Sequence, residues 1–377
     1  MSLYKKPPKK NNKVLLDNII FNLQVIGGIS NYWFNLIRQS IENDSIFYLE
    51  ENNNQNKNDY RNKIKLPSDY ILENVSMLPL KIKRYLPVKG KDKSFDIFHS
   101  SYYRYAKGNI KNVTTVHDFM YEKYLSKYDV RRMVHSKQKY QAIKHSEFII
   151  GVSQNTLNDL LQYFPEFKDK NMRVIYHGAS DDFYLIKKKQ PYITIQNQKL
   201  WNNAYFFYFG GRKGYKNFNL LIDAYSELLK KYKNIPDLVI ASGGKFSENE
   251  KRLLAESGIL KRTIKLAKLT NRELNCLYNH CTAFIYPSLY EGFGLPVLEA
   301  MQAGAPVICS NSSSLPEVAG EAAIYIDPDD AVSLEKALHG LLKDDARKDL
   351  KGMSRKQAEK FSWKSAYEKT LEVYDSI

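Results

Sequence analysis

The chain has 377 residues, a length that suits two domains of ordinary size. Hydrophobic residues make up 43% and charged residues 26%, which excludes a disordered or fibrous chain, and no apolar run approaches the ~18 residues of a membrane-spanning helix. The net charge of +16 is uneven: residues 1–190 hold 32 Lys/Arg against 19 Asp/Glu and the remainder 25 against 22, so an anionic partner is implied for the first half.

In chain order, Lys13 to Phe21 reads as a buried strand, and Gly27-Gly28 then opens an amphipathic helix from Ile29 to Ile37, the start of a parallel α/β unit. The start of the chain lacks the apolar core of a signal peptide, because Asp17 and Asn18 interrupt Val14-Leu15-Leu16, and a cytoplasmic location is expected. Residues 51–60 are polar and of low complexity and are expected in a surface loop. Strands are expected at Phe95 to Phe98, Val113 to Val116, Phe148 to Val152 and Met172 to Tyr176, with helices at Val130 to His145 and Thr156 to Phe164.

The charged, proline-ended Lys187-Lys188-Lys189-Gln190-Pro191 is the expected linker. Beyond it, strands are expected at Tyr205 to Phe209, Leu238 to Ala241, Ile264 to Leu266, Ala283 to Tyr286, Val307 to Cys309 and Ala323 to Ile326. Helices fit between them at Leu220 to Lys231, Glu248 to Glu256, Glu273 to Asn279 and Pro296 to Ala303. The expected architecture is α/β, with two doubly wound, Rossmann-like domains facing across a cleft (1–187 and 188–361) and a C-terminal helix, 362–377, packing back on the first. Ligands in such folds sit at the carboxyl ends of the strands. Three cysteines, Cys276, Cys281 and Cys309, are too few for a disulfide framework and lack the spacing of a zinc site.

Two segments carry chemistry. Tyr286-Pro-Ser-Leu-Tyr-Glu291-Gly-Phe-Gly294-Leu-Pro-Val-Leu-Glu299-Ala300 runs from a strand end through a glycine-rich turn into a helix. Gly292 and Gly294 allow close backbone approach, and the helix start offers unpaired N–H groups to negative charge. Gly210-Gly211-Arg212-Lys213-Gly214-Tyr215-Lys216-Asn217 follows another strand and reads as a phosphate-binding loop. It is neither a P-loop nor the dinucleotide fingerprint.

These segments, with the Gly27-Gly28 pair and the seven residues separating Glu291 from Glu299, resemble glycosyltransferase family 4, retaining enzymes of the GT-B fold. Val116-His117-Asp118, Gly151-Val152-Ser153, Val174-Ile175-Tyr176-His177-Gly178 and Ala305-Pro306-Val307-Ile308 agree in order, from Val14 to about Tyr374. The form Tyr215-Lys216-Asn217 is similar to that of bacterial enzymes building O-antigen or capsule, many of them mannosyltransferases. The resemblance implies that Arg212 and Lys216 clamp a donor pyrophosphate and that Glu299 binds the ribose. It implies that Glu291 and the N–H groups of Phe293, Gly294 and Leu295 hold the sugar and part of the diphosphate. It further implies that Gly27 and Gly28 approach the phosphate and that His117 lies near the donor sugar. Lys268 and Leu269 correspond to a loop packing on the base, although a glycine is usual where Ala267 stands.

The expected function is a retaining hexosyltransferase moving mannose from GDP-mannose to a lipid-linked glycan precursor, with neither cofactor nor metal. Asp327-Pro328-Asp329 matches a metal-binding Asp-x-Asp pattern but reads as turn and helix cap. The alternatives are a UDP-linked donor, a sugar-nucleotide epimerase of the same fold, or a nucleic-acid-binding protein. The last has no use for two acids beside a phosphate site. In the first half, Lys81, Lys83, Arg84, Lys89, Lys91 and Lys93, with Arg131, Arg132, Lys137, Lys139 and Lys144 on a helix, suggest peripheral binding to the inner, anionic membrane face.

Overall fold

The structure, a computed structural model, describes residues 12–51, 57–74, 78–89, 94–212 and 214–377. Lys91, Lys93, Lys213 and half of the polar stretch 51–60 lie outside the described residues. The chain forms two compact units, Met1–Gly178 with Trp363–Ile377, and Ala179–Ser362.

The first unit holds an all-parallel sheet of seven strands, in the order Ile71–Asn74, Ile46–Glu51, Val14–Asp17, Ile97–Ser100, Lys111–Val116, Ser146–Gly151 and Asn171–Val174. Val14–Asp17 and Ile97–Ser100 are buried at every position, as central strands covered on both faces must be. The strand expected from Lys13 to Phe21 stops at Asp17, and Ile20–Leu23 turns into a one-turn helix whose first N–H donates to Ser101 Oγ at 2.9 Å. Ile46–Glu51 and Ile71–Asn74 were not foreseen. The first lacks flanking glycine or proline, and the second is an edge strand without a fully buried residue.

The second unit holds six parallel strands in the order Thr263–Leu266, Asp237–Ala241, Tyr205–Phe209, Ala283–Tyr286, Val307–Ser310 and Ile324–Ile326. Counted in chain order within this sheet, that is third, second, first, fourth, fifth, sixth, the doubly wound order. The helix Phe218–Lys231 repeats apolar residues at Phe218, Leu221, Ile222, Tyr225 and Leu228, and this face joins the core with Leu238 and Ile240. Helices Glu248–Glu256 and Asn271–His280 start at capping boxes, Ser247 with Glu250 and Thr270 with Glu273.

The Lys187–Pro191 stretch belongs to the second unit. The N–H groups of Tyr184 and Ile186 donate to the side chains of Asn275 and Asn279 at 3.0 and 2.9 Å, and Lys189 Nζ donates to the Asn279 carbonyl. The division therefore falls earlier, after Gly178. The C-terminal helix Trp363–Ser376 packs in the first unit against the helix Gly28–Ser40, and Tyr374 Oη lies 2.6 Å from His99 Nδ1.

Beside the first unit's central strands lies a buried charge network. Arg104 donates from Nε to Asp17 and from a terminal nitrogen to Glu51, both at 2.8 Å, and Lys83 pairs with Glu51. Buried ions are tolerated only when paired, and removing one partner strands the other. Arg104→Met is expected to lower unfolding free energy by about 3–5 kcal/mol in a urea titration. A loss below ~1 kcal/mol would show the network to be dispensable.

Candidate active site

In a doubly wound sheet the crevice opens where the strand order reverses, between first and fourth strands. In the second unit that point lies between Tyr205–Phe209 and Ala283–Tyr286, the strands from which both chemistry-bearing loops depart. Lys216 Nζ donates to Glu291 Oε1 at 2.7 Å and to Tyr286 Oη at 2.9 Å, and the Leu289 N–H donates to the Tyr215 carbonyl at 2.8 Å. Burial opposes the Lys216 charge, but the Glu291 carboxylate, together with the Tyr215 and Tyr208 hydroxyls, outweighs it and holds the ammonium above the usual lysine value.

The second loop is shaped for close approach. Gly294, at φ +105°, caps the helix Leu295–Gln302, and a Cβ there would come within 2.8 Å of Leu315. Pro296 sits in the first turn, where its missing donor costs nothing. A serine run that sequence reading passed over supports this loop. Ser313 Oγ accepts from the Glu291 N–H at 3.1 Å and donates to its carbonyl at 2.5 Å, and Ser314 Oγ lies 2.9 Å from the carbonyls of Glu291 and Phe293. The run Asn311-Ser312-Ser313-Ser314 after a strand was the available signal.

Arg212 pairs with a different acid from Lys216. Its guanidinium faces the end of the neighbouring strand, with Nε on Glu250 Oε1 at 2.7 Å and a terminal nitrogen on Oε2 at 3.2 Å. The remaining donors reach Ser242 Oγ and the carbonyls of Gly243 and Lys245, so all five guanidinium donors are engaged. The Arg212 hydrogen bond, with the Ser247 backbone and hydroxyl, draws the Glu250 carboxyl down to about 2 despite partial burial.

Glu299 lies one turn inside the helix, beside Tyr278. Burial pushes its carboxyl up to about 8; the Tyr278 hydroxyl offsets part of this and the Asp182 charge adds to it. The Ala267 N–H donates to Gln196 Oε1 at 3.3 Å, and exposed Lys268 adopts φ +51° ahead of half-buried Leu269. Asp327 Oδ1 accepts from the Asp329 N–H at 2.9 Å while Asp330 caps the next helix, a turn-and-cap arrangement.

In the first unit, Gly27 precedes the helix Gly28–Ser40. A Cβ on Gly27 would lie 2.5 Å from Gln24 Oε1, whereas Gly28 faces open space. His117 is buried, and burial lowers its pKa to about 4, so its imidazole is neutral near pH 7. Its Nε2 has no hydrogen-bond partner among the described residues, and its ring meets Tyr32 edge-on at 5.1 Å. Tyr32 also packs against His177 at 4.9 Å, and neither was singled out as a site residue from sequence.

The expected basic surface needs correction at two positions. Lys83 turns inward to Glu51 and the Asn74 carbonyl, and Lys139 is buried against Glu122 at 2.9 Å; each answers a buried acid rather than solvent. Arg84 is half-buried over the Tyr102 ring at 4.9 Å, and Arg132 donates to the Leu125 carbonyl at 2.8 Å. Lys81 and Arg131 are exposed, the latter paired with Asp129 at 2.7 Å. Exposed apolar residues Ile82, Tyr85, Tyr128, Val130 and Met133 stand in the same segments. No helix among the described residues is long and apolar enough to cross a membrane.

Two Rossmann-like units, the second with a cation and a glycine-capped helix at its switch point, define a glycosyltransferase of the GT-B class. The chain belongs to glycosyltransferase family 4: residues 26–183 match the description "Glycosyltransferase Family 4" and residues 193–360 match "Glycosyl transferases group 1". It is 30% identical to the O-antigen chain mannosyltransferase B of Escherichia coli, over 70% of this chain and 69% of that protein. It is also 30% identical to the serotype-specific mannosyltransferase WbdA of Escherichia coli, over 71% of this chain but about a third (34%) of that longer protein. Among solved structures, a sucrose-phosphate synthase from Thermosynechococcus elongatus has the same fold, with a TM-score of 0.74 at 17% identity over 96% of this chain and 98% of that one.

The Glu299 carboxyl links this site to stability. Its pKa rises on folding from an ordinary 4.5 to about 8, so the native state holds a proton that the unfolded chain releases, and stability falls as pH climbs through that window. Glu299→Gln removes this loss. Its Tm is expected to exceed the wild-type value by a few degrees at about pH 7.5, with the difference vanishing below about pH 4.5. Identical melting at both pH values would contradict the half-buried, protonated carboxyl.

Proposed function

We propose that the chain is a retaining mannosyltransferase that moves mannose from GDP-mannose to a lipid-linked glycan precursor of a bacterial surface polysaccharide. The observation that carries the reading is the Lys216–Glu291 pair, standing at the switch point beside a helix opened by Gly294. The choice of mannose follows the names of the two Escherichia coli relatives, and Tyr215-Lys216-Asn217 agrees with it.

The chemistry asks for positive field where charge grows. As the bond between the sugar C1 and the diphosphate oxygen breaks, negative charge collects on the departing nucleoside diphosphate, and preorganised cations and N–H groups stabilise it. Lys216 and the N–H groups of Phe293, Gly294 and Leu295 supply that field. Arg212 joins them by giving up one of its bonds to Glu250. The acceptor hydroxyl forms the new C1–O bond on the face the diphosphate leaves, and its proton passes to the leaving phosphate. Glu291 orients the sugar, Glu299 the ribose, and neutral His117 serves the donor sugar by hydrogen bonding. No metal is needed in this scheme, and exposed Lys81 and Arg131 support peripheral contact with an anionic membrane.

Radiolabelled GDP-mannose supplied with a mannose-terminated acceptor should yield a longer glycan, whereas UDP-glucose and UDP-N-acetylglucosamine should not. Use of a UDP-sugar in place of GDP-mannose would overturn the donor assignment. Turnover should persist in EDTA, and loss restored by magnesium or manganese would overturn metal independence. Lys216→Ala and Arg212→Ala should each lower turnover roughly 100-fold. Near-normal turnover in folded Arg212→Ala would mean that its guanidinium stays with Glu250 and serves structure alone.

A further inference from the structure

A small hairpin precedes the second unit's first strand and lies outside its six-stranded sheet. Strands Tyr192–Ile195 and Gln198–Trp201 pair antiparallel, and Ile195 opposes Gln198, which leaves Gln196 and Asn197 as a two-residue turn. Both hold positive φ, +49° and +62°, as a type I′ turn requires. Glycine, asparagine and aspartate suit such positions, whereas glutamine bears a steric cost there. Ile195 and Leu200 are buried and anchor the hairpin, while Gln196 is exposed, so packing does not account for its side chain.

The partner of that side chain lies at the edge of the larger sheet. Thr263–Leu266 comes first in the sheet's order and pairs with Asp237–Ala241, so its other side is an edge. The Leu266 carbonyl faces the neighbouring strand and accepts from the Ser242 N–H at 3.3 Å. Backbone groups alternate sides along a strand, so those of Ala267 face the edge. Gln196 meets both: its Oε1 accepts from the Ala267 N–H at 3.3 Å, and its Nε2 donates to the Ala267 carbonyl. One exposed amide thus carries the ladder a step beyond the edge strand, just ahead of Lys268, itself at φ +51°.

The loop held in this way, 267–270, leads into the helix Asn271–His280, and the start of that helix stands toward Glu299. Asn271 Nδ2 donates to Asp182 Oδ2 at 2.7 Å, and the Asp182 charge acts on the Glu299 carboxyl. A nucleotide with its diphosphate at Lys216 and its ribose at Glu299 therefore extends its base toward 267–270.

We infer that Gln196 is a positioning residue for the donor's base: its amide fixes the loop 267–270, against which the base packs. The inference rests on the proposed nucleotide-sugar donor and adds a residue from outside both chemistry-bearing loops.

The test is calorimetric titration of the full chain with GDP and, separately, with inorganic diphosphate. Gln196→Met keeps the length of the side chain without its hydrogen bonds. Gln196→Gly removes the side chain while favouring the left-handed turn, so a strained hairpin cannot explain its effect. Each should weaken GDP roughly tenfold, the scale of one or two lost hydrogen bonds, and leave diphosphate within about twofold. In turnover the loss should fall on KM for GDP-mannose rather than on kcat. GDP affinity kept in either variant, or weakened no more than that of diphosphate, would overturn the inference. Wild-type preference for UDP over GDP would overturn the donor reading, and the inference would then stand or fall on the same comparison made with UDP. Binding of neither nucleotide would overturn both.

Discussion

The contact between Lys216 and Glu291 joins two loops that the topology of the sheet would otherwise drive apart. The first and fourth strands of a doubly wound sheet are neighbours, but the helices that follow them pass to opposite faces, which opens a crevice at their carboxyl ends. A bare crevice binds nothing in particular. Lys216, at 2.7 Å from Glu291 and 2.9 Å from Tyr286, spans it and sets a positive charge within it. Serine hydroxyls from a third loop fix the Glu291 backbone, and Gly294 lets the next helix begin close behind. The same acid that positions the lysine also neutralises it.

That economy recurs at the other cations. Arg212 rests on Glu250, Lys83 and Arg104 on Glu51, and Lys139 on Glu122. In each case a cation withdrawn from water finds an acid, because an unpaired buried charge is too costly to keep. The net charge of the first half is therefore a poor guide to which of its lysines face outward.

This explains what could be read from sequence and what could not. The parallel strands of the second unit, the glycine-rich turn before Leu295 and the loop after Phe209 were legible, because each rests on a local pattern: an apolar run, a glycine at a strand end, a proline in a first turn. The inward turn of Lys83 and Lys139 was not legible, since their partners lie far away in sequence, at Glu51 or on another helix. The docking of Arg212 on Glu250, 38 residues on, is hidden for the same reason. The strand Ile46–Glu51 depends on pairing with Val14–Asp17 rather than on its own punctuation. The stretch Lys187–Pro191 looks like a linker by composition, and only the asparagines of the helix Asn271–His280 reveal that it and the residues leading into it are docked.

In the proposed reaction the diphosphate of the nucleotide sugar lies in the second unit's crevice, held by Lys216 and the start of the helix Leu295–Gln302. A crystal structure of the protein with GDP tests it most directly. Diphosphate oxygens are expected within hydrogen-bonding distance of Lys216 Nζ and of the N–H groups between Phe293 and Leu295, with the ribose at Glu299. GDP bound elsewhere, with Lys216 still held on Glu291 and no phosphate at Gly294, would contradict it.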